Sequence, residues 1–272
     1  MNPSDNTKSI GPPPVRHMLS QGRSLIEFAA SSSMMPILMR APRGDGHPVL
    51  LLPGFLAGDS STLFLRRFLK FKNYTAEGWQ LGRNLGRDLG KGKHLISDRL
   101  LDRLTTLAES YGGKVSLVGW SLGGVLAREM ARIYPDKVRQ VITLGSPFNA
   151  PGSSTAMVSK MFKWINGDVA AQHPGAARRL SRPPPVPSTA IYSRTDGITS
   201  WQACIEDTSA SAQCQNIEVR GSHTGLGHNP QVMWIIAQCL AQAEGQWQPF
   251  REKLSDKLLF PNPYRVCRSA TD

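Results

Sequence analysis

A serine sits between two glycines in Gly119-Trp120-Ser121-Leu122-Gly123, with the apolar run KVSLV before it and VLAREMARIYP after it. The pattern G-x-S-x-G between a strand and a helix turns the chain sharply and leaves the serine hydroxyl exposed at the apex. Bulk in place of the glycines would clash in so crowded a turn. The plain alternative is a serine that caps the following helix. A serine hydroxyl is a poor nucleophile at neutral pH, so an imidazole must take its proton and a carboxylate must orient that imidazole.

With this turn the chain order runs serine, acid, histidine. Asp196 ends TAIYSRTD and His223 stands in VRGSHTGLGHNP, both just past strand-like runs. The carboxyl ends of parallel strands are where such folds gather ligands. For Asp196 the alternative is an ordinary turn aspartate before Gly197. Asp168 falls in an expected cap, and Glu206 and Asp207 follow Trp201 in an expected surface helix. Of the six histidines only His223 and His228 follow the proposed acid. His223 is preferred because a strand terminus holds catalytic geometry more firmly than the start of a helix, which Asn229-Pro230 marks. His228 is then a loop or supporting residue. The tetrahedral intermediate needs donors for its oxyanion, expected from the backbone N–H groups of Leu122 and Phe55. In LLPGFLAGD, Gly54 lets the backbone approach the substrate, Phe55 and Leu56 add an apolar wall, and Leu56 and Trp120 are the expected substrate contacts.

These residues require a sheet to carry them. HPVLLLP is a strand ended by Pro53-Gly54, STLFLRRFLKF has helical character, and NYTAEGW holds a second strand. Leu100, Leu101, Leu104 and Leu107 recur at helical spacing up to the stop at Gly112-Gly113. KVSLVGW, VRQVITLG, STAIYS and NIEVRG read as further strands, and NPQVMWIIAQCLAQAEG as a last helix. Alternating β and α elements call for an α/β fold, a mainly parallel sheet flanked by helices. The forty or so residues between Gly145 and Ser188 are too many for a plain connection and suggest a small helical cap, about residues 149–187. Its Met157, Met161, Phe162 and Trp164 suggest an apolar acyl pocket. The expected organisation is a flexible tail and apolar segment over 1–45, a catalytic domain over 46–250 and a C-terminal extension over 251–272.

Apolar residues make up 40% of the 272 and charged ones 19%, enough for a substantial core. A formal charge of +12 attracts phosphate-rich surfaces, but the arginines are scattered and no basic cluster is interleaved with aromatics, so nucleic-acid binding is not expected. GRNLGRDLGKGK imitates a phosphate loop, yet Gly86 to Gly90 encloses three residues instead of four and Lys91 precedes a glycine. The four cysteines lack metal or redox spacing, no acidic partner accompanies His223 and His228, and no cofactor or metal is implied. No leader pattern and no long apolar run is present in the N-terminal stretch, so a cytoplasmic location is expected, with any membrane contact peripheral and made through Leu25–Met39.

Taken together, VLLLPGFLAGD, GWSLGG, VITLGSPF, YSRTDGI and GSHTGLGHNP resemble the α/β-hydrolase superfamily, and within it the bacterial esterase/lipase group, from about His47 to Ala243. In smaller lipases of that fold an H-x-G-L segment carries the catalytic histidine, which matches His223-Thr224-Gly225-Leu226. The family's oxyanion-loop H-G is Pro53-Gly54 here, which keeps the Phe55 amide but removes a side chain that often braces the loop. The resemblance implies a cofactor-independent hydrolase of small-molecule or lipid esters, with Ser121 as nucleophile, His223 as base and Asp196 as its orienting acid. Two rivals remain: an acyltransferase built on the same triad, and a non-catalytic scaffold that binds an apolar ligand or a protein.

Overall fold

Short apolar runs bounded by glycine and proline become strands buried on both faces, the signature of a parallel sheet covered by helices. A computed structural model describes residues 10–90, 95–150, 154–251, 260 and 265–267. In it β1 (Pro48–Leu52), β2 (Thr75–Gly78), β3 (Val115–Trp120), β4 (Val138–Leu144), β5 (Ser188–Tyr192) and β6 (Cys214–Glu218) are joined in the order β2-β1-β3-β4-β5-β6. All five pairings among them are parallel, and β7 (Arg265–Cys267) adds an antiparallel edge to β6. The C-terminal extension thus contributes a strand, and Phe260 stacks edge-on against Trp234.

The helices are α1 (Val15–Leu19), α2 (Ser24–Ser33), α3 (Met35–Leu38), α4 (Leu63–Phe71), α5 (Asp98–Tyr111), α6 (Leu122–Ile133), α7 (Ala156–Asn166), α8 (Val169–Gln172), α9 (Ala176–Ser181) and α10 (Pro230–Leu240). A 3-10 turn, Ser20–Arg23, links α1 to α2. Because successive side chains leave a strand on opposite faces, β1 feeds two cores. Val49 and Leu51 meet α4 and α10 through Leu65, Phe68, Val232 and Ile236, whereas Leu50 and Leu52 meet α5 and α6 through Leu104, Leu107, Val125 and Met130. Each such side chain, fully buried, stabilises the fold by about 1.5–3 kcal/mol. Asn229 begins α10 by accepting from the amides of Gln231 and Val232, and Gly112 ends α5 in a left-handed conformation.

Two expectations change. Residues 15–20, read as flexible tail, lie in α1 and the 3-10 turn after it, while the apolar segment forms α2 and α3 on the domain; residues 1–9 lie outside the described residues. Glu206, expected on a surface helix, is fully buried and ion-paired with Arg128, and only Trp201–Cys204 is helical there. No helix among the described residues is long and apolar enough to cross a membrane.

Candidate active site

The strand order reverses beside β1, so the loops after β1 and β3 diverge at their carboxyl ends and open a crevice, where open α/β sheets place ligands. Ser121 stands there, directly after β3 and before α6, with φ 53° and ψ −121°. A residue with a Cβ held in so sparsely populated a region stores on the order of 1–3 kcal/mol of strain. The surroundings hold it: the Ser121 amide donates to Leu144 O at 2.8 Å, and Gly124 N donates to Ser121 O at 3.0 Å. The glycines of the motif are required by close approach. A Cβ on Gly119 would strike Gly124, and one on Gly123 would strike the Leu52 carbonyl.

Asp196 and His223, expected from the loops after β5 and β6, meet in the structure. His223 Nδ1 lies 2.6 Å from Asp196 Oδ2, and both residues are buried. Asp196 faces the ring as an acceptor, so Nδ1 carries the proton and Nε2 is left to accept one. The other carboxylate oxygen accepts from the amides of Ile198 and Thr199, each at 2.8 Å, and Thr199 Oγ1 donates to Oδ2 at 3.1 Å. These bonds fix the carboxylate plane and hence the ring. Serine and dyad converge on the end of β4. Leu144 O receives the Ser121 amide, and the next residue, Gly145, with φ 53°, passes under the dyad. A Cβ on Gly145 would lie 3.1 Å from Asp196 Oδ2 and 3.2 Å from His223 Nδ1. On the other side of the serine, Trp120 Nε1 donates to His223 O at 3.1 Å.

The loop after β1 lies on the serine: a Cβ on Gly54 would sit 3.3 Å from Ser121 Cβ. Phe55 follows it, and Leu122 opens α6, whose positive end favours a developing oxyanion. The bracing that Pro53 cannot supply comes from Asn84, which is fully buried. Its Nδ2 donates to Pro53 O at 2.7 Å, its amide to Ala57 O at 2.8 Å, and its carbonyl accepts from the Leu56 amide at 2.6 Å. Nothing in the sequence marks Asn84, because the loop it serves is thirty residues away.

Beside Ser121 opens a cavity of about 180 Å³, with Phe55, Leu122, Val125, Val158, Phe162 and Leu180 in its apolar wall. The cap is present as α7 to α9, but only Phe162 of the four cap residues expected in the pocket lines it; Met157 and Trp164 face solvent. An amphipathic helix of about three turns, as in α7, has two sides, and spacing alone could not say which faced the site. Neither Leu56 nor Trp120 lines the cavity. Leu56 takes a turn at φ 64°, and the Trp120 ring lies against Gly227 while its N–H holds the His223 carbonyl. His228 is not part of the dyad; its Nε2 lies 3.0 Å from Ser24 O.

The cap is fastened at both ends. Thr155 N donates to Ile198 O at 2.9 Å, next to the acid. At the return, Arg128 on α6 reaches Arg182 O at 2.7 Å, pairs with Glu206 and lies 3.6 Å over the Phe148 ring, while Glu129 receives Arg132 and Arg179, each at 2.7 Å. The charged pair Arg128-Glu129 among the small and apolar residues of α6 was the available sign of this anchor. The cap rests on the loop that imitates a phosphate site: Asn166 donates to Leu85 O at 2.9 Å, and Gly86 lies under Phe162.

The fold has counterparts among known proteins. A family model described as alpha/beta hydrolase fold matches residues 97–181, from the start of the helix before β3 to the last cap helix. The chain has the α/β-hydrolase fold. Similar solved structures of this fold include Aspergillus fumigatus lipase B, at 16% identity and a TM-score of 0.58 over 80% of this chain and 57% of that longer one. Bacillus licheniformis lipase BlEst2 aligns at 14% identity and a TM-score of 0.53, over 75% of this chain and 95% of its own. MGS-MChE2, an alpha/beta hydrolase enzyme from a metagenome of lagoon sediments of Mar Chica, Morocco, aligns at 17% identity and a TM-score of 0.51, over 72% and 90%. No curated protein sequence matches this α/β-hydrolase-fold chain significantly.

Proposed function

We propose that this protein hydrolyses carboxylic esters with an apolar acyl group through an acyl-enzyme on Ser121. The observation that carries the reading is the His223–Asp196 dyad, closed at 2.6 Å, at the same strand ends as a serine held at positive φ. His223 Nε2 takes the Ser121 proton as Oγ attacks the acyl carbon, and the Leu122 and Phe55 amides receive the oxyanion. The imidazolium, steadied by Asp196, then protonates the leaving alcohol. Water repeats the sequence on the acyl-enzyme and frees the acid.

The cavity of about 180 Å³ is walled mainly by carbon, and at roughly 30 Å³ for a water-sized group it holds about six. That favours short to medium acyl chains, of about six carbons. The Lys163–Asp168 pair at its rim, 3.0 Å apart, adds no net charge, consistent with a neutral substrate. The similar lipases named above support esters over amides; the triad chemistry alone serves both. The test is initial-rate hydrolysis of p-nitrophenyl acetate to palmitate by the parent and Ser121→Ala. Loss of at least about 10³-fold in kcat in the variant is expected, with the best parent substrate between butanoate and octanoate. Equal rates in parent and variant would exclude the nucleophile. Ester formation with added alcohols at the expense of free acid would instead assign acyl transfer.

A further inference from the structure

One segment grips every residue that flanks the acid and the base. Along the helical stretch α1 to α2, Arg23 Nη2 donates to Thr195 Oγ1 at 3.1 Å, just before Asp196. The His17 carbonyl lies where a side chain on Gly197, just after Asp196, would have to go. Before His223, the Ser222 amide donates to Glu27 Oε1 at 2.8 Å and its hydroxyl to Oε2 at 2.5 Å. After His223, Thr224 N lies 3.4 Å from Gln21 Oε1. Farther along, His228 meets Ser24 O at 3.0 Å, and Ser31 Oγ donates to His228 O.

Glu27 is the centre of this grip. It is the single carboxylate of the segment LIEFAASSSMMPILM. Its two charge-assisted bonds, the stronger kind, both fall on the residue preceding the base. Ser222 is fully buried, and its hydroxyl oxygen also accepts from Gly225 N at 3.1 Å, so the bond to Glu27 continues into the turn that carries His223. A Cβ on Gly225 would overlap the Glu27 carboxylate where it stands, so a side chain there would have to displace it. The glycine of the His223-Thr224-Gly225-Leu226 motif is therefore explained by Glu27. An exposed acid on a surface helix would need neither the glycine nor the buried serine.

We infer that Glu27 is a positioning residue for the general base: through Ser222 it sets the backbone from which His223 reaches Asp196. This rests on the proposed role of His223. The bonds require two acceptor or donor atoms at the Glu27 position, not its charge, because the Ser222 hydroxyl can accept from an amide as well as donate to a carboxylate.

The experiment compares the full chain with Glu27→Ala, Glu27→Gln and Ser222→Ala. Glu27→Ala should lower kcat on the best p-nitrophenyl ester by about tenfold or more, as small misplacements of a base do, with KM within about twofold. Glu27→Gln should recover most of that loss. Ser222→Ala, which removes one of the two bonds, should fall between parent and Glu27→Ala, and the double variant should be no slower than Glu27→Ala; if Glu27→Ala does not fold, Ser222→Ala carries the test. A readout without substrate accompanies these rates: the low-field proton resonance of His223 Nδ1–H should be sharp in the parent and Glu27→Gln, and broadened or lost in Glu27→Ala. If no ester is turned over by the parent, the ester reading fails while the resonance still decides the role of Glu27. An unchanged resonance with kcat within twofold in Glu27→Ala, or a Glu27→Gln variant as impaired as Glu27→Ala, overturns the inference.

Discussion

Gly145 is a sharp test of the assembled site, because an alanine there changes two things whose effects can be separated. Its φ of 53° places a Cβ in the left-handed region, at a cost of about 1–2 kcal/mol. The added methyl would also lie 2.8 Å from Leu226 Cδ1, 3.1 Å from Asp196 Oδ2 and 3.2 Å from His223 Nδ1. Carbon pairs rest at about 3.5–4.0 Å, so Leu226 must yield by nearly 1 Å, and it is fully buried with nowhere open to go. The strain passes to the dyad, whose bond is only 2.6 Å long. A misplacement approaching 1 Å costs about 10² in rate; a few tenths of an ångström in the dyad should cost about 10–10² in kcat/KM, or about 1.4–2.7 kcal/mol. Gly112→Ala is the control. Gly112 also has positive φ, at 64°, but open space around it, so it carries the backbone cost alone. Initial rates on one p-nitrophenyl ester, with Tm for each variant, are the assay. If Gly145→Ala and Gly112→Ala retain rates within about twofold of each other, the contact between β4 and the dyad does not shape catalysis and the reasoning is refuted.

Arg128→Met leaves the Glu206 carboxylate buried, accepting from Ser188 Oγ at 2.6 Å but without its arginine, and should destabilise by about 3–5 kcal/mol, lowering Tm by on the order of 10 °C. Adding Glu206→Leu should recover part of that loss; urea titration showing a change below about 1 kcal/mol in Arg128→Met would count against the anchor. Val158→Trp, which fills the cavity wall, should cut octanoate hydrolysis at least about tenfold relative to acetate, given about 0.8 kcal/mol for each methylene denied burial. An unchanged chain-length profile would place the acyl group elsewhere. Burial pushes the Cys239 thiol up to about 12 and raises that of Cys204 as well. Since the thiolate is the reactive form, peptide mapping after iodoacetamide at pH 8 should find both unlabelled in the native protein and labelled in guanidinium. Native labelling of Cys239 would contradict its burial.

The sequence by itself determined the layered α/β fold and identified Ser121, Asp196 and His223 as the candidate site. Those features are written in local order: apolar runs of strand length, helical spacing in α5, and glycines that a sharp turn needs. The paired acid and base were legible because chain order limits the choices and only two histidines follow Asp196. What only the tertiary structure decided depends on contacts between distant segments. Asn84 braces the loop of Phe55, Gly145 bears on the dyad, and Arg128 with Glu206 anchors the cap, each across a separation that periodicity does not encode. The same holds for which cap residues face the cavity, where Phe162 turned inward and Met157 and Trp164 did not. The N-terminal stretch shows the difference most plainly. Its apolar composition was visible, but Glu27 has a role only because folding brings residue 222 within hydrogen-bond reach of it. Burial then makes that contact worth more than any local preference of the chain.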